Sequence, residues 1–389
     1  MEENKMPVDT LRGPLDLLVI QPTPFCNLDC DYCYLPFRQV RDKISPEVLR
    51  AIFTRVFASG IVEHGFTVVW HAGEPLVLPV AFYQEALEII AEENRENVEV
   101  GHSFQTNGTL LNPGWCRFLK EKGLAIGVSV DGPAFIHDRH RKTRSRRGTF
   151  QQVVRGIKLL GEYQVPFHVI TVLTADSLDY PDELFDFYLE HGIRQIGFNI
   201  EEIEGPHTTS SLSALEMQER YTAFLSRFLD LIDQSAERLS VREFDSAIAS
   251  IRARDELLGN GPQLTTPFAV INVDCHGNFS TFSPELLGLA SDQYDGFTFG
   301  NVLTDSLDAA CNHPNYRAVE RDVLAGVSKC SEHCEYFPYC GGGSPVNKLF
   351  ENGTFDSTET LFCRLSRKVV IDVVLAKLES RYATVGEKA

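Results

Sequence analysis

The chain has 389 residues, 43% of them hydrophobic and 23% charged, a composition that supports a large folded core and excludes a mostly disordered chain. Its 36 basic and 54 acidic side chains leave a net charge of −18, which disfavours general attraction to nucleic acid or to an anionic membrane surface. No apolar stretch reaches the length of a membrane span, and Met1-Glu2-Glu3-Asn4-Lys5 does not open a secretory signal, so the expected location is cytoplasmic.

After an N-terminal extension over residues 1–13, residues 14–240 alternate short β-prone apolar runs with longer amphipathic stretches. The expected strands are Leu17–Gln21, Thr67–His71, Gly101–Thr106, Ala125–Val130, Phe167–Leu173 and Gln195–Ile200. Between them, Pro46–Ser59, Pro79–Glu92, Pro113–Lys122, Phe150–Tyr163 and Tyr180–His191 read as helices. Strands alternating with helices imply a parallel α/β sheet with right-handed crossovers, either an open partial barrel or a doubly wound sheet.

The polar signals gather at strand C-termini, where α/β folds assemble their sites. Strand one leads into Cys26-Asn27-Leu28-Asp29-Cys30-Asp31-Tyr32-Cys33-Tyr34. Three thiolates at this spacing can hold three irons of a cubane and leave the fourth iron open to a small molecule, whereas a closed zinc site needs a fourth ligand. Strand two leads into His71-Ala72-Gly73-Glu74-Pro75, strand three into Thr106-Asn107-Gly108, strand four into Ser129-Val130-Asp131-Gly132-Pro133, and strand six into Glu201 and Glu202. Read alone, these residues equally suit strand-end caps and tight turns. Residues 137–147 hold six Arg or Lys residues, a stretch that reads as a site for an acidic peptide segment or as a solvated basic loop.

Residues 207–266 read as helical or connecting, with a bridging region over 241–268 and a break at Gly259-Asn260-Gly261-Pro262. Residues 269–372 turn to short runs, glycines and cysteines, as in a small domain folded around metal, and residues 373–389 read as a helix end and tail. Cys330, Cys334, Cys340 and Cys363 supply four thiolates, enough to saturate a cubane or to bind tetrahedral zinc. Cys275 and Cys311 are too isolated to define a further cluster, and Cys116 reads as an inert buried thiol.

The Cys26–Tyr34 segment resembles the cluster motif of the radical S-adenosylmethionine (AdoMet) superfamily. The resemblance implies a partial (β/α)6 TIM-like barrel in which Cys26, Cys30 and Cys33 ligate a catalytic 4Fe-4S cluster. Its open iron would chelate AdoMet, whose reductive cleavage releases a 5′-deoxyadenosyl radical. Ala72-Gly73-Glu74-Pro75 resembles the family's GGEP loop, with Ala72 in place of the first glycine, and implies Gly73 and Glu74 at the AdoMet amino group. The segments around Thr106 and Ser129 look like those of the anaerobic sulfatase-maturase-like branch. That likeness implies that Tyr34, Thr106, Asn107, Ser129, Asp131 and Arg141 line the AdoMet or substrate channel.

The C-terminal cysteines resemble the SPASM extension, which implies an auxiliary 4Fe-4S cluster in place of zinc. Cys340-Gly341-Gly342-Gly343-Ser344-Pro345 lacks the further cysteine of the fullest pattern, so two clusters are expected. Over nearly the whole chain, and most specifically at Thr281–Gly288 and Gly341–Gly353, the sequence is similar to GrrM/OscB-like maturases of ribosomal peptides. The implied reaction joins a side-chain Cβ to an aromatic ring carbon of a precursor peptide, a cyclophane. Thioether formation, epimerisation, formylglycine formation and a noncatalytic peptide-binding scaffold are the alternatives. The implied partners are a precursor peptide and a low-potential electron donor such as ferredoxin or flavodoxin. Leader binding falls to the main domains or to a partner, since no separate recognition domain is apparent before strand one. Asp131, Glu201, Glu202 and Glu285 are the candidate proton acceptors by position.

Overall fold

A computed structural model describes residues 13–252 and 263–386; the extension up to residue 12, the break at 259–262 and the last three residues lie outside the described residues. The six expected strands form as β1 Leu17–Ile20, β2 Phe66–Trp70, β3 Val100–Thr106, β4 Ala125–Ser129, β5 Phe167–Leu173 and β6 Gln195–Ile200. They pair in parallel and in chain order from β1 to β6. A doubly wound sheet reverses its strand order at a switch point. The unbroken order here is that of a barrel wound in one direction.

The crossovers are the expected helices, Pro46–Ala58, Val80–Glu93, Pro113–Lys122, Phe150–Glu162 and Pro181–Glu190. Local signals set their ends. Ser45 Oγ accepts from Val48 N at 3.2 Å ahead of Pro46, and Asn112 Oδ1 accepts from Gly114 N at 2.9 Å ahead of Pro113. Gly123 closes its helix with a left-handed φ of 63°.

The strands alternate in burial. Leu18, Ile20, Val68, Trp70, Phe104, Ile126, Val128, Val169 and Phe198 are buried in the hydrophobic core. Their neighbours Val69, Gln105, Ser129, Ile170 and Asn199 are only partly buried and point to the opposite, inner face. The barrel therefore has a packed outer layer and a less tightly buried inner face that carries the polar side chains of Gln105, Ser129 and Asn199.

The sheet does not stop at residue 241. It continues as β7 Ser240–Val241 beside β6, and on the other side as β8 Val270–Val273, parallel to β1. β9 Asn278–Thr281 and β10 Gly300–Asn301 extend that edge in antiparallel fashion, giving ten strands in the order β10-β9-β8-β1-β2-β3-β4-β5-β6-β7. The region expected to open a small separate domain thus begins by covering the edge of β1, whose backbone groups would otherwise lack partners. The stretch read as a helix end and tail is a helix, Val370–Gly386, with Val370, Ile371, Val373 and Val374 buried. Lys377 ties it to Asp230 and Asp233 of helix Glu216–Gln234, at 2.5 and 2.9 Å. No helix among the described residues is long and apolar enough to cross a membrane.

Candidate active site

The cysteine loop leaves β1 at the C-terminal rim and is gripped from three sides. The first grip is steric. Gly73 has φ +126°, and a Cβ there would stand 2.2 Å from Thr23 O, so only glycine lets the loop after β2 lie this close to the chain entering Cys26. The second is an amide network. Asn107 Nδ2 donates to Asn27 Oδ1 at 2.8 Å and approaches Cys26 Sγ at 3.8 Å, while Asn27 Nδ2 donates to Thr109 Oγ1 at 2.9 Å.

The third grip is electrostatic. Arg144 donates through Nε and Nη2 to Cys26 O at 3.0 and 2.7 Å, and Lys142 and Arg146 reach Asp31 at 3.1 and 2.7 Å. Asp29 N also donates to Lys142 O at 2.8 Å. Three of the six cations of the basic stretch, Lys142, Arg144 and Arg146, are therefore engaged by the cysteine loop itself. The complementary signal, Asp29 and Asp31 between the cysteines, was present in the sequence but lies more than a hundred residues from its partners.

Glu74 differs from its expected role. Its buried carboxylate accepts from Leu76 N at 3.0 Å, Thr106 Oγ1 at 2.6 Å and Asn107 N at 2.8 Å, so it joins the rims of β2 and β3. Burial still pushes it up to about 7. Those bonds leave the backbone around Gly73 as the part of this loop available for recognising an ammonium group. Ser129 Oγ accepts from Gln105 Nε2 at 3.0 Å across the inner face.

Asp131 is the first correction among the proposed proton acceptors. It is 1% exposed, and its carboxylate accepts from Tyr32 OH, from Arg141 Nε at 2.9 Å and from Val172 N at 3.1 Å. Burial alone would raise its carboxyl, but Arg141, His137 and these bonds outweigh burial and hold it below the usual range. A carboxylate so stabilised is a poor base. Arg141, itself buried, is consequently anchored to Asp131 with its guanidinium 5.4 Å from the Tyr32 ring. Glu201 is the second correction. Its carboxylate accepts from Ser211 N at 2.7 Å and lies 3.2 Å from His207 Nε2, which pins the loop after β6.

Glu202 and Glu285 meet. With Glu204, a residue the sequence did not single out, they form a carboxylate cluster bridging the end of β6 and the C-terminal extension. Asn347 Nδ2 donates to Glu202 Oε2 at 2.7 Å and approaches Glu204 Oε1 at 3.4 Å, and Ser283 Oγ donates to Glu285. Burial, then the neighbouring acids, push Glu202 up to about 7 and Glu204 well above its ordinary value; burial also raises Glu285. The cluster adjoins Tyr34, whose hydroxyl is raised first by burial and then by Glu285, Cys33, Glu204 and Glu202. Tyr34 OH lies 3.1 Å from His71 Nε2.

Cys26 Sγ accepts from Leu28 N at 3.4 Å. Burial first, with a smaller contribution from Cys33, pushes the Cys26 and Cys30 thiols up to about 12 and about 11. Packed thiols in this state fit a positively charged iron core, which offsets the repulsion and deprotonates its ligands. Cys330, Cys334, Cys340 and Cys363 line one cavity of about 380 Å³ together with Lys348 and Lys368. Among the described residues no trio of His, Cys, Asp or Glu converges closely enough to hold a single metal ion, and the four thiols instead stand around the cavity wall. Cys275 lines a different cavity, of about 290 Å³, beside Val19, Ala72 and Asn272. Cys311 is buried at the end of the short helix Leu307–Ala310, and neither joins the four. Cys116 is buried in the outer core.

Residues 20–201 match the family described as the radical SAM superfamily. The chain is 44% identical over 371 residues to the uncharacterized protein sll1766 of Synechocystis sp., covering 94% of this chain and 93% of that one. It is 27% identical over 372 residues to the cysteine-type anaerobic sulfatase-maturating enzyme of Clostridium novyi, covering 90% and 92%. Its fold is similar to that of anSMEcpe, solved with bound AdoMet and Cp18Cys peptide, with a TM-score of 0.76, 22% identity and coverage of 95% of this chain and 99% of that one.

Proposed function

The chain belongs to the radical SAM superfamily, and we infer from its site that it is a radical AdoMet enzyme that oxidises a side chain of a ribosomally made precursor peptide. The observation that carries this reading is the Glu202–Glu204–Glu285 cluster beside Tyr34, at the end of the three-cysteine loop. Cys26, Cys30 and Cys33 would hold the catalytic cluster with AdoMet, and Cys330, Cys334, Cys340 and Cys363 the auxiliary cluster. When bound, these groups supply a hydrogen-abstracting radical at one site and an acceptor for the remaining electron at the other.

The protein's own part is to fix that chemistry in place and to take the proton. After hydrogen abstraction, oxidation of the substrate radical releases one electron and one proton. Glu202, raised to about 7 by burial and then by its neighbours, has a proton affinity matched to accepting that proton near neutral pH. Asn347 holds its carboxylate in register, and Glu285 lies close enough to add to its proton affinity. Asp131 and Arg141 hold the opposite side of the rim as a fixed ion pair.

For the product, the motifs at Thr281–Gly288 and Gly341–Gly353 favour the Cβ-to-ring cyclophane. The likeness to a sulfatase-maturating enzyme favours a second reading, oxidation of a cysteine or serine to formylglycine. Crosslinking and serine oxidation both remove two hydrogens, so mass alone does not separate them; trapping of an aldehyde does. Anaerobically reconstituted protein, AdoMet, a strong reductant and a precursor peptide are expected to yield 5′-deoxyadenosine and a peptide lighter by two hydrogens that resists aldehyde reagents. Aldehyde capture would select the formylglycine reading. Glu202→Gln is expected to retain 5′-deoxyadenosine formation and lose peptide product by ten-fold or more, in line with the usual worth of a general base of about 10²–10⁴. Full product from that variant would remove Glu202 from the mechanism.

A further inference from the structure

Lys348 stands out among the cationic side chains because it is 3% exposed and its Nζ lies 3.4 Å from Cys330 Sγ. Lys368, which lines the same cavity, is paired with Glu359. No carboxylate pairs with Lys348 among the described residues, so the nearest group that can balance it is the Cys330 sulfur. Burying an ammonium without an anion is costly. A neutral thiol would not offset that cost, whereas a thiolate bound to a cluster of net negative charge would.

The surrounding helix is shaped to admit this charge. Gly326 and Cys330 lie four residues apart in helix Pro314–His333 and so share a face. A Cβ on Gly326 would stand 3.2 Å from Lys348 Nζ and 2.2 Å from Phe355 O. Glycine at that turn lets the 355–357 segment and the ammonium close over the cysteine.

We propose that Lys348 is a positioning residue for the auxiliary cluster, donating to the Cys330 sulfur and raising the potential at which that cluster accepts the electron removed from the substrate. This rests on the auxiliary-cluster reading above. Reduction adds one negative charge to the cluster. A fixed cation in contact with a ligand sulfur favours the reduced form, and both net charge and hydrogen bonds to sulfur set cluster potentials.

The test uses the full chain carrying Cys26, Cys30 and Cys33→Ala, so that the auxiliary cluster is observed by itself. Its midpoint potential is measured by electron paramagnetic resonance during a redox titration, with iron and sulfide counted in each sample. Lys348→Met is expected to make reduction at least tenfold less favourable, a shift of about 59 mV to more negative potential for a one-electron couple. Lys348→Arg is expected to restore most of the difference. Lys348→Gln keeps an N–H donor without the charge and covers the case in which the methionine variant fails to fold; it is expected to shift in the same direction. A full iron count with an unchanged potential in Lys348→Gln or Lys348→Met overturns the proposal. Absence of iron with Lys348 intact overturns the auxiliary-cluster reading instead, and this proposal falls with it.

Discussion

Two carboxylate sites lie on the barrel rim, and they are opposites. At the end of β4, Asp131 is fully buried and yet held ionised, because Arg141 lies at 2.9 Å and Tyr32 and Val172 N also donate to it. At the end of β6, Glu202 and Glu204 meet Glu285 with Asn347 as their donor, and burial drives them toward the protonated form. Burial is common to both sites, so the neighbours decide the proton state. Acidic residues in the same topological position can accordingly serve as a scaffold ion pair or as a proton acceptor.

The comparison would break most visibly at Asp131. Asp131→Ala leaves Arg141 buried without its anion, and unfolding measurements are expected to show a loss of about 3–5 kcal/mol. A loss below about 1 kcal/mol would mean that the pair does not organise the rim.

The pH response sharpens the contrast, because the two sites have opposite signs. Glu202 has an ordinary value of 4.5 and a folded value of about 7, so the folded state binds an extra proton between them, and stability falls as pH rises through that window. Asp131 is shifted below its ordinary 3.8, so its contribution is present above that value and is lost as pH falls through the lower folded one. Glu202→Gln is expected to raise the melting temperature more at pH 8 than at pH 5. An equal change at both values would show that Glu202 is not held protonated by burial.

The smallest effect is expected at the exposed part of the clamp. Arg146 is 55% exposed where it meets Asp31, and Arg146→Ala is expected to leave the midpoint of chemical denaturation almost unchanged. A midpoint shift as large as that of Asp131→Ala would identify that ion pair, rather than the buried Asp131–Arg141 pair, as the main fastening of the cysteine loop.

How far the site could be read from sequence follows from the range of each interaction. The three-cysteine loop is local: its cysteines lie within eight residues, Cys26 to Cys33, and the apolar run before them reads as a strand. The rim residues after β2, β3 and β4 were legible for the same reason, since strand period and turn chemistry place them at strand ends. Their roles were less legible. Glu74 became an internal fastening and Asp131 half of an ion pair because of residues 32 and 10 positions away, Thr106 and Arg141. Glu204 gave no signal of its own, and Asn347 and Lys348 lay unassigned within a motif, because their partners come from elsewhere in the fold.

The sequence by itself therefore determined the periodic α/β framework, the cysteine triplet and the set of four later cysteines, all of which depend on short spacing and side-chain chemistry. Tertiary structure alone decided that β8 completes the edge beside β1, that the basic stretch closes on the cysteine loop, and that Glu202 and Glu285 share a site while Asp131 is held apart. The physical reason is that proton affinity and charge compensation depend on distances of a few ångströms between residues far apart in the chain, and only folding sets those distances.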